Sequence, residues 1–319
     1  MDSNGKRIAK AAVVILALIV SARAADATLV EITTCGTVIN TPGEYGVSSS
    51  LTSNSDTVDC IDVDAPGVSI GIAPNISLTG PGGSAVTAAG IKIRKGADGI
   101  QLISSADTIQ RFGIGIDDEG SGVVVSADSS GLTIMGNAAQ GILVSGASDV
   151  LIDSVNSEQN GAAGLELLRA SGVTVKGTSI LQLNGGYGLW VRSSSNNQFF
   201  NLDTFDNKLS GIYVGESDDD QLNPTQRDGL PSRKNAFVGL AAIQNSGAGF
   251  VMGFGDSPNV ITSCTGQLNV DKDAVDETPG CGQNEWIGNS FTTTNRKLHS
   301  LSAISSLSDS GTTRLCRFL

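Results

Sequence analysis

The chain has 319 residues and a formal net charge of −12, with 40 glycines, 4% aromatic and 16% charged residues. This acidic balance argues against a nucleic-acid-binding protein. A single histidine, His299, excludes most mechanisms that need a serine–histidine–aspartate triad or several histidines around zinc. Hydrophobic residues make up 39% of the chain, which is enough for a core. The abundance of Gly, Ser, Asn and Val predicts many short strands joined by tight turns.

The N-terminus has the pattern of a secretory signal peptide. Lys6, Arg7 and Lys10 precede the apolar run 11–20, and residues 22–24 form a small-residue cleavage site. We expect residues 1–24 to be removed and the mature protein to be secreted, extracellular or in a cell wall, with no membrane span. Removal takes four basic residues and one acidic residue, so the net charge changes from −12 to −15. The alternative is an uncleaved anchor, for which the apolar run is short.

A short strand motif that starts with glycine recurs about every 23 residues along the chain. It begins at Gly90, Gly113, Gly141, Gly164, Gly188, Gly211 and Gly249. A single asparagine column follows a similar period, at Asn137, Asn160, Asn184, Asn207, Asn245 and Asn269. One period cannot bury its own apolar side, but stacked periods can, with equivalent strands about 4.8 Å apart. The sequence therefore predicts an all-β fold, a right-handed parallel β-helix with three sheets and about 23 residues per coil.

The repeat also sets the expected domain limits. We assign the β-helix to residues 25–295, with an N-terminal cap at 33–65. Residues 215–234 break the period and are expected to form an inserted loop. The serine-rich tail 296–319 lacks the repeat and is expected to be disordered.

Five cysteines in a secreted chain suggest disulfide bonds. We expect Cys35 to pair with Cys60 and Cys264 with Cys281, as one local clip at each end of the β-helix. Cys316 would then be free or would pair with another chain.

The repeat, the opening segment from Cys35 and the closing segment from Cys281 resemble secreted pectate-lyase-like β-helix proteins that act on carbohydrates. They are most similar to the mannuronan (alginate) C5-epimerases, over roughly residues 33–295. The resemblance implies an isomerase or polysaccharide lyase that abstracts the C5 proton of a uronate. It also implies an acidic extracellular polysaccharide of the alginate or pectin type as partner.

The catalytic motif of those epimerases is altered in this chain. They carry Y-G-x-D-P-H, whereas this chain keeps Tyr187 and Gly188 but has Trp190 at the aspartate position and Arg192 at the histidine position. These replacements favour a loss of activity. The alternative function is therefore a non-catalytic polysaccharide-binding, cell-wall or surface protein.

Alternation along the repeated strands predicts which side chains point outward. Glu166, Trp190, Arg192 and Tyr213 fall on outward positions of three neighbouring coils. A tryptophan ring stacks on a pyranose, and an arginine pairs with a uronate carboxylate. The alternative is a set of unrelated surface residues.

These positions give the predicted site. As catalytic residues we predict Tyr187, Arg192, Tyr213 and Glu166, with a tyrosine exchanging the proton and Arg192 or Arg169 neutralising the carboxylate. As substrate-binding residues we predict Trp190, Arg169, Lys92 and Arg94. No cofactor is certain. Calcium is the possible ion, because Asp218, Asp219 and Asp220 offer hard oxygen ligands, although consecutive acids are also typical of a solvated turn.

Overall fold

The computed structural model describes residues 29–128, 131–216, 230–278, 283–295 and 312–313. The predicted signal peptide and the acidic residues Asp218, Asp219 and Asp220 lie outside the described residues, as does almost all of the tail. The described chain is all β-structure, a right-handed parallel β-solenoid of about ten turns with about 24 residues per turn. The predicted fold is confirmed.

Each turn of the solenoid contributes one strand to each of three sheets, and sheet A has one further strand at each end; strands are numbered in chain order. Sheet A contains β1 (Val30–Glu31), β3 (Gly43–Val47), β6 (Val68–Ile72), β9 (Gln101–Ser104), β12 (Val124–Ala127), β15 (Leu151–Asp153), β18 (Thr174–Lys176), β21 (Gln198–Phe200), β24 (Ala236–Val238), β27 (Val260–Thr262), β30 (Glu285–Ile287) and β32 (Thr312–Thr313). Sheet B contains β2 (Thr37–Ile39), β5 (Ile61–Val63), β8 (Ala89–Ile93), β11 (Ile114–Asp118), β14 (Ile142–Ser145), β17 (Leu165–Leu168), β20 (Leu189–Arg192), β23 (Ile212–Val214), β26 (Phe250–Met252) and β29 (Ala274–Asp276). Sheet C contains β4 (Leu51–Thr52), β7 (Ser77–Thr79), β10 (Asp107–Gln110), β13 (Leu132–Met135), β16 (Val155–Glu158), β19 (Ser179–Gln182), β22 (Leu202–Phe205), β25 (Ala241–Ile243), β28 (Thr265–Gln267) and β31 (Ser290–Phe291).

Every strand of sheet B pairs in parallel with its equivalent in the next turn, and the glycine-led motif forms this sheet. The inward positions are apolar in turn after turn. They stack as the column Ile61, Ile91, Ile116, Ile142, Leu165, Leu189, Ile212, Phe250 and Ala274. All of these side chains are buried, so the core runs continuously along the solenoid axis.

The asparagine column forms a ladder of side-chain amides at the turn between sheets C and B. Asn184 shows the pattern: its Nδ2 donates to Asn207 Oδ1 at 3.0 Å, and its Oδ1 accepts from Asn160 Nδ2 at 3.1 Å and from the Asn160 backbone N–H. A second ladder, not expected from the sequence, joins Asn197, Asn235, Asn259 and Asn284. The members are buried, so each ladder satisfies polar groups that the turn would otherwise leave unpaired.

The N-terminal disulfide is confirmed, whereas the second predicted pairing is wrong. Cys35 and Cys60 are bonded. Cys264 is a free thiol that is 1% exposed and faces the interior, where its Sγ donates to the carbonyls of Phe237 and Thr262. Its inward direction explains the absence of a bond, and the predicted partner Cys281 lies outside the described residues.

The inserted segment joins β23 of sheet B to β24 of sheet A, and residues 217–229 of it are not described. β2 to β5 fall inside the predicted cap at 33–65 and pair within the three sheets. Two tail residues, Thr312 and Thr313, pair antiparallel with β30. None of the described residues forms a helix long and apolar enough to cross a membrane.

Candidate functional site

The outward positions of sheet B carry polar and aromatic side chains in register from turn to turn. We call this column, together with the residues that contact it, the sheet B face. The column runs through Asp62, Lys92, Asp117, Leu143, Glu166, Trp190 and Tyr213, and continues to Val251 and Val275. Glu166, Trp190 and Tyr213 therefore lie on adjacent strands, as the alternation predicts.

Arg192 holds two carboxylates together near the middle of the sheet B face. Its Nη1 donates to Glu166 Oε1 at 3.2 Å, and its Nη2 donates to Glu216 Oε2 at 3.2 Å. Glu166 is 2% exposed and also accepts from Gln140 Nε2 at 2.7 Å. Ser193 Oγ donates to Glu216 Oε1. The predicted catalytic pair Arg192 and Glu166 is thus an ion pair in the folded chain, with Glu216 as a third member.

Three aromatic rings lie beside this ion-pair network. Tyr187 and Tyr213 are stacked with ring centroids 4.8 Å apart, and Tyr187 contacts Trp190 at 5.0 Å. The Arg192 guanidinium lies 4.4 Å from the centre of the Trp190 ring, which is within cation–π range. Trp190 Nε1 donates to the Gly215 carbonyl at 3.0 Å.

The two tyrosines belong to an apolar cluster separate from the main core. Tyr187 and Tyr213 are 3% and 5% exposed and pack with Ala163, Ala248 and Val251. Trp190 is only partly buried against the same cluster. Of the three aromatic candidates, Trp190 presents the most surface to solvent.

Lys92 and Arg94 form a second polar group on the sheet B face. Lys92 Nζ donates to Asp117 at 2.6 Å and to Glu119 at 2.7 Å. Arg94 donates through Nε and Nη2 to the two oxygens of Asp62, at 2.8 and 2.6 Å. Burial by itself lowers the pKa of Lys92, but hydrogen bonds to Asp117 and Glu119 outweigh it, so the pKa lies above its ordinary value.

The structure brings five of the eight predicted sugar-site residues together and leaves three apart. Glu166, Tyr187, Trp190, Arg192 and Tyr213 form one cluster. Lys92 and Arg94 lie three strand spacings away from Glu166, about 14 Å along the axis. Arg169 is exposed in the turn after β17, where it adopts a φ of 55°.

Several polar residues of these groups were not expected from the sequence, among them Gln140, Asp62 and Glu119. Gln140 immediately precedes a repeat glycine, as Tyr187 does two turns later, and this shared position is the signal that places it at the sheet B face. Asp118 was not expected either, although it belongs to neither group: it ends β11 at an inward position, where alternation with Ile116 marks it as a buried carboxylate.

No group of three or more His, Cys, Asp or Glu side chains within the described ranges is arranged to hold a metal ion. The calcium ligands suggested by the sequence, Asp218, Asp219 and Asp220, are among the residues not described. Calcium binding at those residues stays a prediction.

The fold and its repeating ladders define a parallel β-helix protein. The family described as a right-handed β-helix region matches residues 112–291, and the chain belongs to this family. A comparison with curated proteins finds no match.

Solved structures share this fold at low sequence identity. The Dettilon tailspike protein superposes with a TM-score of 0.58 at 13% identity, covering 84% of this chain and 59% of the tailspike chain. The periplasmic alginate epimerase AlgG gives 0.41 at 14% identity, covering 69% and 57%. The A-module of the Azotobacter vinelandii mannuronan C-5 epimerase AlgE4 gives 0.48 at 9% identity, covering 82% and 77%. This chain therefore spans less than two thirds of the tailspike and AlgG chains, and the likeness extends to the fold alone.

Proposed function

We propose that the protein is secreted and binds an extracellular polysaccharide along the sheet B face without changing it chemically. The observation that carries the proposal is the state of Trp190. Its ring is partly exposed and is held in place by the bond from Nε1 to the Gly215 carbonyl and by Arg192. A fixed aromatic ring beside charged hydrogen-bonding groups suits a pyranose, whose apolar side stacks while its hydroxyls bond to the neighbours.

A C5-epimerase or lyase of the mannuronan-epimerase type is the second candidate. The clustering of Arg192, Glu166 and the two tyrosines favours it, because C5 proton abstraction needs a neutralised carboxylate and a proton-transferring group. The burial of both tyrosines and the pairing of Arg192 with two carboxylates favour binding without turnover instead. A base must come within hydrogen-bond reach of its proton, and these hydroxyls belong to a packed cluster.

Secretion has independent physical support. The bond between Cys35 and Cys60 is of the kind that persists in oxidising compartments.

A solenoid also offers a long, extended face, which suits a polymer better than a small molecule.

Affinity electrophoresis in gels that contain alginate, pectin or a neutral polysaccharide tests the binding. We expect retardation of the full-length secreted protein by at least one polymer. Trp190→Ala should weaken that binding by about tenfold, the scale of one lost aromatic contact. Gln198→Ala, on an exposed outward position of sheet A, is the matched control and should bind normally. Equal retardation of both variants would place the site elsewhere.

Proton NMR of polymannuronate incubated with the protein, with and without calcium, separates binding from catalysis. We expect neither guluronate signals nor unsaturated chain ends. Either signal would establish the enzymatic alternative.

A further inference from the structure

We infer that the sheet B face selects a neutral, hydroxyl-rich polysaccharide over a polyuronate. The inference rests on the proposed function and concerns the chemical class of its ligand. It departs from the acidic polymer that the sequence resemblance implies. The inference is based on one observation: Lys92, Arg94 and Arg192 of the sheet B face are each paired with at least one carboxylate.

The cations that would attract a uronate are already neutralised. Arg192 lies between Glu166 and Glu216. Lys92 lies between Asp117 and Glu119, and Arg94 is held by both oxygens of Asp62. The described part of the face therefore has three cations and five carboxylates, a net charge of −2. The exposed Arg169, in the turn beyond β17, reduces the excess to −1 and does not reverse its sign.

Freeing one of these cations for a uronate would break a partly desolvated ion pair. Glu166 is the clearest case, because it is 2% exposed and would be left buried without its cation. Uncompensated buried charges are strongly unfavourable. A uronate approaching the face also meets like charges, which oppose association.

Neutral sugars meet the opposite situation. Carboxylate oxygens are hydrogen-bond acceptors only, and sugar hydroxyls are donors that form short charge-assisted bonds with them. Glu119 is the most open of the paired carboxylates, with a side chain 39% exposed, and Glu216 and Asp117 are 17% and 16% exposed. The group around Lys92 and the group around Arg192 lie on either side of Leu143, so one polymer chain along the axis can contact both groups.

A matched pair of polymers tests the inference: highly methyl-esterified homogalacturonan, and the same preparation after de-esterification to polygalacturonate. Both have the same backbone and differ in charge. We expect the full-length protein to bind the esterified polymer at least about tenfold more tightly, as measured by isothermal titration calorimetry. The ratio should grow as salt is lowered, because screening of the repulsion weakens. Tighter binding of polygalacturonate would overturn the inference and leave the proposed function intact, whereas failure of both polymers and of the other polysaccharides would overturn the proposed function itself.

Removing one carboxylate from the face provides a second readout. Glu119→Gln should raise affinity for polygalacturonate about threefold and lower affinity for the esterified polymer about threefold, because the amide oxygen accepts hydroxyl hydrogens without the charge assistance of a carboxylate. Glu285→Gln removes the same charge from an exposed position on sheet A and should change neither. Equal effects of the two substitutions would show that net charge, and not this face, sets the preference.

Discussion

Asp118 allows a quantitative test of how burial in the core changes the pKa of a carboxyl group and, with it, the stability of the fold. It lies at the end of β11 in an inward column, between Ile93 and Val144. The residue is 1% exposed, and its Oδ1 accepts the Gly120 backbone N–H at 2.9 Å. Its Oδ2 has no hydrogen-bond partner among the described residues. Burial, the largest cause, raises the pKa of Asp118 from 3.8 to about 7.

This pKa makes stability depend on pH in a defined direction. Below pH 3.8 the carboxyl is protonated in the folded and unfolded chains and makes no difference. Between pH 3.8 and about 7 the unfolded chain releases the proton while the folded chain retains it, so stability falls as pH rises. Three pH units at about 1.4 kcal/mol each amount to about 4 kcal/mol, fully expressed above pH 7.

Asp118→Asn removes this titration and preserves the acceptor for Gly120. We expect wild type to lose about 4 kcal/mol more stability than the variant between pH 4 and pH 8. The difference is read from urea unfolding followed by circular dichroism at both pH values. Carboxylates that do not interact with Asp118 titrate alike in both proteins and cancel in the comparison, and the coupling to Asp117 contributes less than burial does. Equal pH dependence of the two proteins would refute the reasoning.

Three further predictions concern the ladders and the cysteines. Asn184→Ala removes the acceptor for Asn160 and the donor to Asn207. It should lower the free energy of unfolding, measured by urea titration, by about 3 kcal/mol, and a loss below about 1 kcal/mol would contradict a stabilising role of the ladder. Cys264 should not react with a thiol reagent at pH 8 until the protein unfolds, because it is buried and burial raises its pKa to about 11. Labelling is followed by peptide mass spectrometry, and labelling of Cys264 in the folded protein would contradict its buried position. Cys35→Ser should lower the free energy of unfolding by about 3 kcal/mol, and added reductant should no longer change the urea midpoint of the variant. If the midpoint of the variant still changes with reductant, another disulfide bond contributes to stability.

The fold was predictable because its period is explicit in the sequence. The glycine-led strands and the asparagine column recur at nearly constant spacing, and only stacking can bury their apolar sides. The second ladder was harder to recognise because it has only four members, and the inserted loop leaves it two regular steps, of 24 and 25 residues, whereas the first ladder has three regular steps before its own 38-residue gap. The free state of Cys264 follows from its inward direction, which depends on strand phase near the last turns, where the repeat is weakest.

The sequence predicted which residues form the site, but not how their charges are paired. Alternation placed Glu166, Trp190 and Tyr213 on one column, and parallel register brought them into contact. Whether Arg192 is free or paired depends on side-chain conformation and on Glu216, which lies beyond the end of β23. Long-range ion pairs of this kind have no periodic signal in the sequence.

The central claim, that the sheet B face binds a polysaccharide, is tested most directly by acrylamide quenching of tryptophan fluorescence. The chain has two tryptophans, and Trp286 is 1% exposed, so quenching reports mainly on the partly exposed Trp190. We predict that saturating polysaccharide protects this ring and lowers the quenching constant by at least about half, and that the protection disappears in Trp190→Phe. Saturable binding with an unchanged quenching constant would contradict the account.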